Sequence, residues 1–341
     1  MSLQVTIPNE WERMAPVNVG YTAGIETTKV APQWLQKGNE MVDKIIVVSN
    51  HAKQVYLNTE YDARASDDNG EIIREMKYRL ETPIDVVNYP AKPPGTSLQL
   101  DLDLHNDFNF LVVAQFGPRK NVPDTIKWYV EEFKDEDVGI VIKSNIAKNC
   151  TMDREKMYAD MKTFVNGLPE HKCKIYLLHG DMSDEEVQAL YNHSKIKALV
   201  ALPHGEGFGL PIFEAAYSGL PVVATGWSGQ LDFLIDSDKN DCFYNVSFDL
   251  QPVQENVIWD GVIIKESMWA YPREQSAKKQ MRACYEDLTS GPENFATERA
   301  EKLAARIQDE FAPEKKYKEF CDAVLEEESV EIENWLASLE E

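Results

Sequence analysis

Basic residues and long apolar runs are both scarce in this sequence. Lysine and arginine together number 35 against 58 aspartates and glutamates, which leaves a formal net charge of −23. A chain this acidic repels nucleic-acid phosphates and anionic lipid surfaces. It contains no apolar run of about 18 residues that would cross a membrane, and its start, MSLQVTIPNEW, lacks the basic and apolar regions of a secretory signal. We therefore expect a cytoplasmic protein that binds neither nucleic acid nor, strongly, a membrane.

Cysteine is also rare, and its spacing excludes two further classes of protein. The cysteines match neither a small disulfide scaffold nor a CxxC metal site; they are Cys150, Cys173, Cys242, Cys284 and Cys321. No histidine pair has the H-E-x-x-H spacing of a zinc site. Asp101 and Asp103 have the D-x-D spacing of a metal and diphosphate site, but they lie in a predicted linker, where we interpret them as solvated charges. The sequence predicts reduced cysteines and no metal.

The sequence does contain enough apolar material for two globular domains. Hydrophobic residues make up 43% of 341 residues, and a single core usually divides beyond about 250 residues. From residue 109 onward, short buried-strand patterns alternate with amphipathic helices. The predicted strands are 109–115, 138–143, 174–178, 197–202 and 220–225, and the predicted helices are 123–133, 153–166, 184–192 and 211–218. Strands that alternate with helices in this way predict a doubly wound parallel sheet.

The first 106 residues give a less regular pattern. The predicted strands are 17–21, 44–49 and 83–88, and the predicted helices are 32–41 and 50–58. Residues 59–82 contain an Asp67–Gly70 turn, and the segments on either side of it fit either a hairpin or a helix. Residues 89–106 are rich in proline at their start and form the best linker candidate.

The most informative stretch is residues 203–221, PHGEGFGLPIFEAAYSGLP. It places Glu206 in the loop after a parallel strand and Glu214 in the first turn of the next helix. Gly207 and Gly209 let a ligand approach the backbone at a helix N-terminus, where free N–H groups favour an anion. Ionised carboxylates on either side suit the vicinal hydroxyls of ribose and of a sugar. The stretch therefore predicts a phosphate seat between two carboxylates.

Three segments resemble the retaining GT-B glycosyltransferases of family 4. EGFGLPIFEAAYSGLPVVA, residues 206–224, fits the Glu-x7-Glu signature of that family at every fixed position. AQFGPRKN, residues 114–121, resembles the segment in which an arginine and a lysine grip the donor diphosphate. Lys120 matches the lysine, Gln115 stands where the arginine usually is, and Arg119 is a partial replacement. TGWSGQLDFL resembles the loop that closes on the donor, with Asp232 in the acidic place, although Asp232 would equally suit a helix cap.

The resemblance implies an α/β GT-B architecture of two Rossmann-like domains and a retaining hexosyltransferase that uses a UDP- or GDP-sugar, without metal or cofactor. It divides the chain into an incomplete acceptor-side domain (1–106), a donor-binding domain (107–265) and C-terminal helices that pack back across the cleft (266–341). It implies catalytic roles for Glu206 on the transferred sugar and for Lys120 on the diphosphate. The implied donor-binding residues are Gln115, Arg119, Lys120, His204, Gly207, Phe208, Gly209, Leu210, Glu214 and Asp232.

Other interpretations remain open at this stage. Gln115 and the short first domain also fit a nucleotide-sugar-binding or assembly protein that has lost catalysis, and an epimerase or phosphorylase of the same fold is a third possibility. A parallel sheet that lacks its first strands exposes apolar surface, here along Val5, Ile7, Val17 and Val19. We expect either a second copy of the chain or the C-terminal helices to cover that surface.

Overall fold

Two separate parallel sheets organise the chain, of which the computed structural model describes residues 1–66, 72–92, 98–291 and 294–325. The first sheet has four strands and the second has six. Most of the parallel strands in both sheets are connected through α-helices, as is usual for parallel pairing. The predicted α/β fold with parallel sheets is therefore confirmed.

The first sheet is built from residues 2–86. In chain order its region contains β1 (Ser2–Val5), β2 (Asn18–Thr22), α1 (Pro32–Met41), β3 (Lys44–Val47), α2 (Asn50–Asn58), β4 (Glu60–Ser66), β5 (Ile72–Arg79) and β6 (Ile84–Val86). The strand order is β1-β2-β3-β6, with every pair parallel. Trp34 and Leu35 of α1 and Tyr56 of α2 are buried in one core with Ile45 of β3. The alternating helices thus cover the inner strands.

Strands β4 and β5 pair with each other rather than with the first sheet. Their register places Tyr61 opposite Tyr78 in an antiparallel hairpin. Of the two structures that fit residues 59–82, the hairpin is therefore the one present. The Asp67–Gly70 turn itself lies outside the described residues.

The second sheet is built from residues 109–246. In chain order it contains β7 (Asn109–Val113), α3 (Val122–Phe133), β8 (Gly139–Lys143), α4 (Thr151–Asn166), β9 (Lys174–Leu178), α5 (Asp184–Tyr191), β10 (Ile196–Ala201), α6 (Leu210–Tyr217), β11 (Val222–Thr225), α7 (Leu231–Leu234) and β12 (Tyr244–Val246). The order β12-β11-β10-β7-β8-β9 is parallel throughout. Strands β7, β8 and β9 follow one another towards one edge of the sheet, and strands β10, β11 and β12 follow one another towards the other edge. The carboxyl ends of β7 and β10 therefore form the switch point at which such sheets bind ligands.

Two short edge strands differ from the sequence-based expectation. The prediction of five strands in the second sheet is wrong, because β12 adds a sixth with only three residues after a polar segment. The first sheet likewise has an additional strand, β1, in which Leu3 and Val5 remain exposed. Both strands lack the continuous apolar run that identifies an inner parallel strand.

The C-terminal part of the chain returns to the first sheet. It contains the antiparallel pair β13 (Phe248–Pro252) and β14 (Met268–Pro272), followed by α8 (Glu274–Thr289), α9 (Phe295–Glu310) and a further helix, α10 (residues 313–325). Phe320, Ala323 and Val324 of α10 pack against Val19 and its buried neighbours in the first sheet. None of the helices in the described part of the chain is long and apolar enough to cross a membrane.

Helix α10 covers only part of the apolar surface expected along the first strands. Val19 is 1% exposed beneath this helix, whereas Val5 at the β1 edge is 66% exposed. The expected covering by C-terminal helices therefore holds for β2 and does not extend to β1 among the residues that the structure describes.

Replacing Phe320 with alanine tests the covering role of α10. Phe320 packs edge-to-face on Tyr21, with ring centroids 5.7 Å apart, and joins the cluster around Val19. Loss of this partly buried ring should lower the free energy of unfolding by about 1–2 kcal/mol in urea denaturation. Tyr317→Ala on the same helix is the control, because Tyr317 is 61% exposed. Equal effects of the two substitutions would contradict the packing role.

Candidate active site

The loop between β10 and α6, residues 203–209, forms one wall of the site. Gly209 caps α6 with a φ of 94°, a left-handed conformation that favours glycine. Glu206 is 7% exposed, and its backbone N–H donates to Ser228 Oγ at 2.9 Å. The loop therefore holds a buried carboxylate at the carboxyl end of the central strand β10.

Two cations from the segment after β7 converge on Glu206. Lys120 donates a short hydrogen bond to Oε1, and Arg119 Nη1 lies 3.0 Å from Oε2. The Arg119 guanidinium also donates to the carbonyl of Gly205 at 2.7 Å and lies 3.3 Å from Glu26 of the first domain. Burial by itself would lower the pKa of Arg119, but the two carboxylates raise it above its ordinary value. We call Glu26, Arg119, Lys120 and Glu206 the charge cluster.

A small cavity lies beside the charge cluster at the sheet's switch point. It is lined by the ends of β7 and β10, by Lys120 and Glu206, and by Pro211 and Ile212 at the start of α6. The cavity therefore adjoins Lys120, Glu206 and the N-terminus of α6 at the switch point.

Glu214 lies apart from the charge cluster. Its carboxylate accepts a hydrogen bond from the Tyr191 hydroxyl at 3.3 Å. Burial raises the pKa of Glu214, and the charge of Lys92 partly offsets that rise. The two glutamates of the Glu-x7-Glu pattern therefore occupy different environments, one ion-paired and one hydrogen-bonded to a phenol.

Four other predicted donor-binding residues have contacts outside the charge cluster. Gln115 is exposed and donates to the Ile146 carbonyl at 2.8 Å. The side chain of Phe208 is buried in an aromatic cluster with Phe213, which leaves only its backbone to face a ligand. His204 stacks on Trp269 and hydrogen-bonds the Ala270 carbonyl through Nδ1, while Leu210 is 44% exposed.

Asp232 caps a helix of the first domain. Its carboxylate accepts hydrogen bonds from the backbone and side chain of Asn50, at 2.8 and 3.2 Å, and from Asn88 at 3.0 Å. Asn50 is the first residue of α2, so the acidic group meets the positive end of that helix. Asp232 thus joins the two domains at the N-terminus of α2, and its role towards a donor stays a prediction.

The structure also brings together residues that no sequence motif indicated. Glu26 joins the charge cluster from the other domain, and His51 packs edge-to-face on Trp227 with ring centroids 4.7 Å apart. Ser228 Oγ accepts a hydrogen bond from the backbone N–H of Glu206, and the Ser228 backbone has a positive φ of 81°. Trp227 and Ser228 fall within the segment TGWSGQLDFL. The sequence analysis assigned no role to Glu26 or His51, because their contacts join distant parts of the chain.

The described ranges contain no cluster of side chains suited to bind a metal ion. No three histidine, cysteine, aspartate or glutamate side chains there lie close enough to hold a metal ion. Asp101 and Asp103 are exposed in the segment before β7.

The fold of the two sheets matches that of solved GT-B glycosyltransferases. A glycosyltransferase from Rickettsia africae superposes on 91% of this chain and 70% of its own, with a TM-score of 0.58 and 12% identity. Anabaena HepE, solved in complex with UDP and glucose, superposes on 90% of this chain and 70% of its own, with a TM-score of 0.58 and 12% identity. At such low identities these likenesses establish the fold alone, and they confirm the predicted GT-B class.

Sequence comparison then finds a family match within the second half of the architecture. Residues 104–245 match the family Glycosyl transferases group 1. An Escherichia coli serotype-specific mannosyltransferase, WbdA, is 33% identical over 120 residues, which are 34% of this chain and 13% of that protein. A further WbdA sequence is 27% identical over 198 residues, 56% of this chain and 22% of its own. The chain thus spans a small part of the length of these relatives.

We expect His51, at the contact with Trp227, to make the free energy of unfolding depend on pH. Burial lowers its pKa from 6.5 to about 4, although a hydrogen bond with the backbone of Thr27 opposes the shift. As pH falls from 6.5 towards 4, the unfolded chain takes up a proton that the folded protein does not, so stability is lost. We expect this contribution to approach about 3 kcal/mol at pH 4.

The test compares the wild type with His51→Gln in urea denaturation between pH 7 and 4. The variant should lose less stability over this range, because glutamine does not titrate. Parallel pH profiles for the two proteins would show that His51 carries none of the dependence.

Proposed function

We propose that the protein is a retaining glycosyltransferase that transfers a hexose from a UDP- or GDP-sugar to a carbohydrate-type acceptor. The observation that carries this proposal is the convergence of Lys120 and Arg119 on the buried Glu206, at the switch point of the domain that matches the family Glycosyl transferases group 1. Relatives of this domain are named as mannosyltransferases, so mannose is the first hexose to test.

In this proposal the ligand-free ion pairs rearrange when the donor binds. The diphosphate takes the place of Glu206 beside Lys120 and Arg119, and the N–H groups of Gly207 to Gly209 add dipolar stabilisation. Glu206, released from its ion pairs, accepts hydrogen bonds from the transferred sugar. Glu214 accepts hydrogen bonds from the ribose hydroxyls in place of the Tyr191 phenol.

Retention requires little acid–base chemistry from the protein. The bond from the anomeric carbon to the diphosphate oxygen breaks, and the acceptor oxygen forms its bond on the same face. The acceptor hydroxyl proton passes to the departing diphosphate. Lys120 stabilises the negative charge that develops on that leaving group, so positioning and electrostatics supply most of the acceleration.

The cysteines favour a reducing compartment. All five are free, and Cys150 and Cys321 are exposed. Exposed thiols persist where disulfides do not form. We therefore include a cytoplasmic location in the proposal.

A panel of donor sugars distinguishes an enzyme from a binding protein. Coupled detection of released UDP or GDP, with GDP-mannose and UDP-hexoses as donors, should show turnover that rises with a suitable acceptor. Binding of a donor without turnover of any would instead favour the non-catalytic alternative, which Gln115 in the arginine position motivates.

Replacing Lys120 with alanine tests the diphosphate site directly. Loss of one charge-assisted contact costs about 1.5–3 kcal/mol, so the affinity for UDP or GDP should fall about tenfold to a hundredfold in calorimetry. Lys127→Ala is the matched control, because Lys127 is exposed on the following helix α3. An unchanged affinity in Lys120→Ala would remove Lys120 from the site.

We also predict that activity persists in EDTA. Lys120, Arg119 and the start of α6 already supply positive charge to a diphosphate, so the proposed reaction does not require a metal for that purpose. Donor turnover should therefore be the same before and after chelation. Abolition by EDTA with rescue by manganese would direct attention to Asp101 and Asp103.

A further inference from the structure

The segment Ala23–Thr27 of the first domain lies directly on the 203–209 loop. A Cβ atom added at Gly205 would lie 2.2 Å from the carbonyl oxygen of Glu26, and one at Gly207 would lie 2.1 Å from that of Ala23. Side chains at either glycine would therefore collide with the backbone of the other domain. The two glycines allow the domains to touch beside the charge cluster.

This segment is anchored on both sides of Glu26. Ile25 is 3% exposed in the core of the first domain. Thr28 exchanges two hydrogen bonds with Met268, of which its N–H donates to the Met268 carbonyl at 3.1 Å. The backbone is held on both sides, so Glu26 would leave Arg119 only by rotation of its side chain.

The Glu26 carboxylate contacts the same cation that we assign to the donor. It lies 3.3 Å from Arg119 Nη2, while Arg119 Nη1 lies 3.0 Å from Glu206. The side chains of Arg119 and Glu26 are 26% and 25% exposed, so solvent screens this pair only in part. The charge cluster contains two carboxylates and two cations, and its formal charge is balanced without a ligand.

We propose that Glu26 is an internal competitor for the donor diphosphate. Its carboxylate occupies Arg119 in the ligand-free protein and leaves when a diphosphate binds. This inference rests on the proposed function, since it concerns the same anion site. It adds a residue of the first domain to the control of donor binding in the second.

Charge balance gives the direction of the effect. Glu26→Gln retains the size of the side chain but leaves the cluster with one uncompensated positive charge. An incoming anion then displaces no carboxylate from Arg119, so its affinity should rise about threefold to tenfold at low salt. An ion pair that only stabilises the fold would not produce this gain.

The experiment measures binding of inorganic pyrophosphate, UDP and GDP by calorimetry at low salt. Glu26→Gln should bind pyrophosphate about threefold to tenfold more tightly than the wild type. Glu12→Gln is the control, because it removes an exposed negative charge from the same domain outside the cluster. In an Arg119→Gln background, Glu26→Gln should change the affinity little, since the two groups no longer compete.

Several results would overturn the competitor role. These are an equal or weaker pyrophosphate affinity in Glu26→Gln, no measurable pyrophosphate binding by either protein, an equal gain in Glu12→Gln, or a gain that survives in the Arg119→Gln background. Circular dichroism and melting temperatures confirm that each variant is folded.

The nucleotides separate this inference from the proposed function. Tighter pyrophosphate binding by Glu26→Gln without any binding of UDP or GDP would retain the competitor and reject the proposed donor. Binding of UDP or GDP with the same affinity in wild type and Glu26→Gln would retain the donor and reject the competitor.

Discussion

A carboxylate buried between two domains constrains the rest of this structure. Glu206 is 7% exposed, and an ionised group so placed is strongly destabilising unless cations pair with it. Lys120 and Arg119 supply that pairing. They reach Glu206 because β7 and β10 are neighbours in the sheet, so the segments that follow these strands emerge side by side. A parallel sheet order thus brings together residues 86 positions apart in the chain.

The same constraint explains how the domains meet. Around the charge cluster, polar groups of one domain are satisfied by the other, as in the cap that Asp232 forms on α2. Gly205 and Gly207 allow the backbone of the first domain to approach the loop that carries Glu206. Helix α10 then returns from the second domain to the first sheet, where Val19 is buried beneath it. Contact between the domains and neutralisation of the buried charge are therefore parts of one arrangement.

Local patterns predicted the inner elements well and the edges poorly. Helices α1 and α2 and strand β9 have the predicted bounds. Strand β12 was missed because three residues carry too little periodicity to register. The sequence of residues 59–82 does not distinguish a hairpin from a helix, because its turn signal suits either structure. Within the site, two separate motifs identified Glu206 and Lys120 as candidates, but neither predicted that the two side chains pair. Glu26 joins the cluster only through the packing of the domains, for which no spacing in the sequence provides a signal.

A crystal structure with UDP or GDP bound would test the central claim most directly. The account predicts the diphosphate against Lys120 and Arg119 at the start of α6, with Glu206 turned from Lys120 towards the sugar position. The contrary result is a nucleotide bound elsewhere while Lys120 and Arg119 keep their ion pairs with Glu206. That outcome would make the charge cluster a structural contact between the domains rather than a donor site.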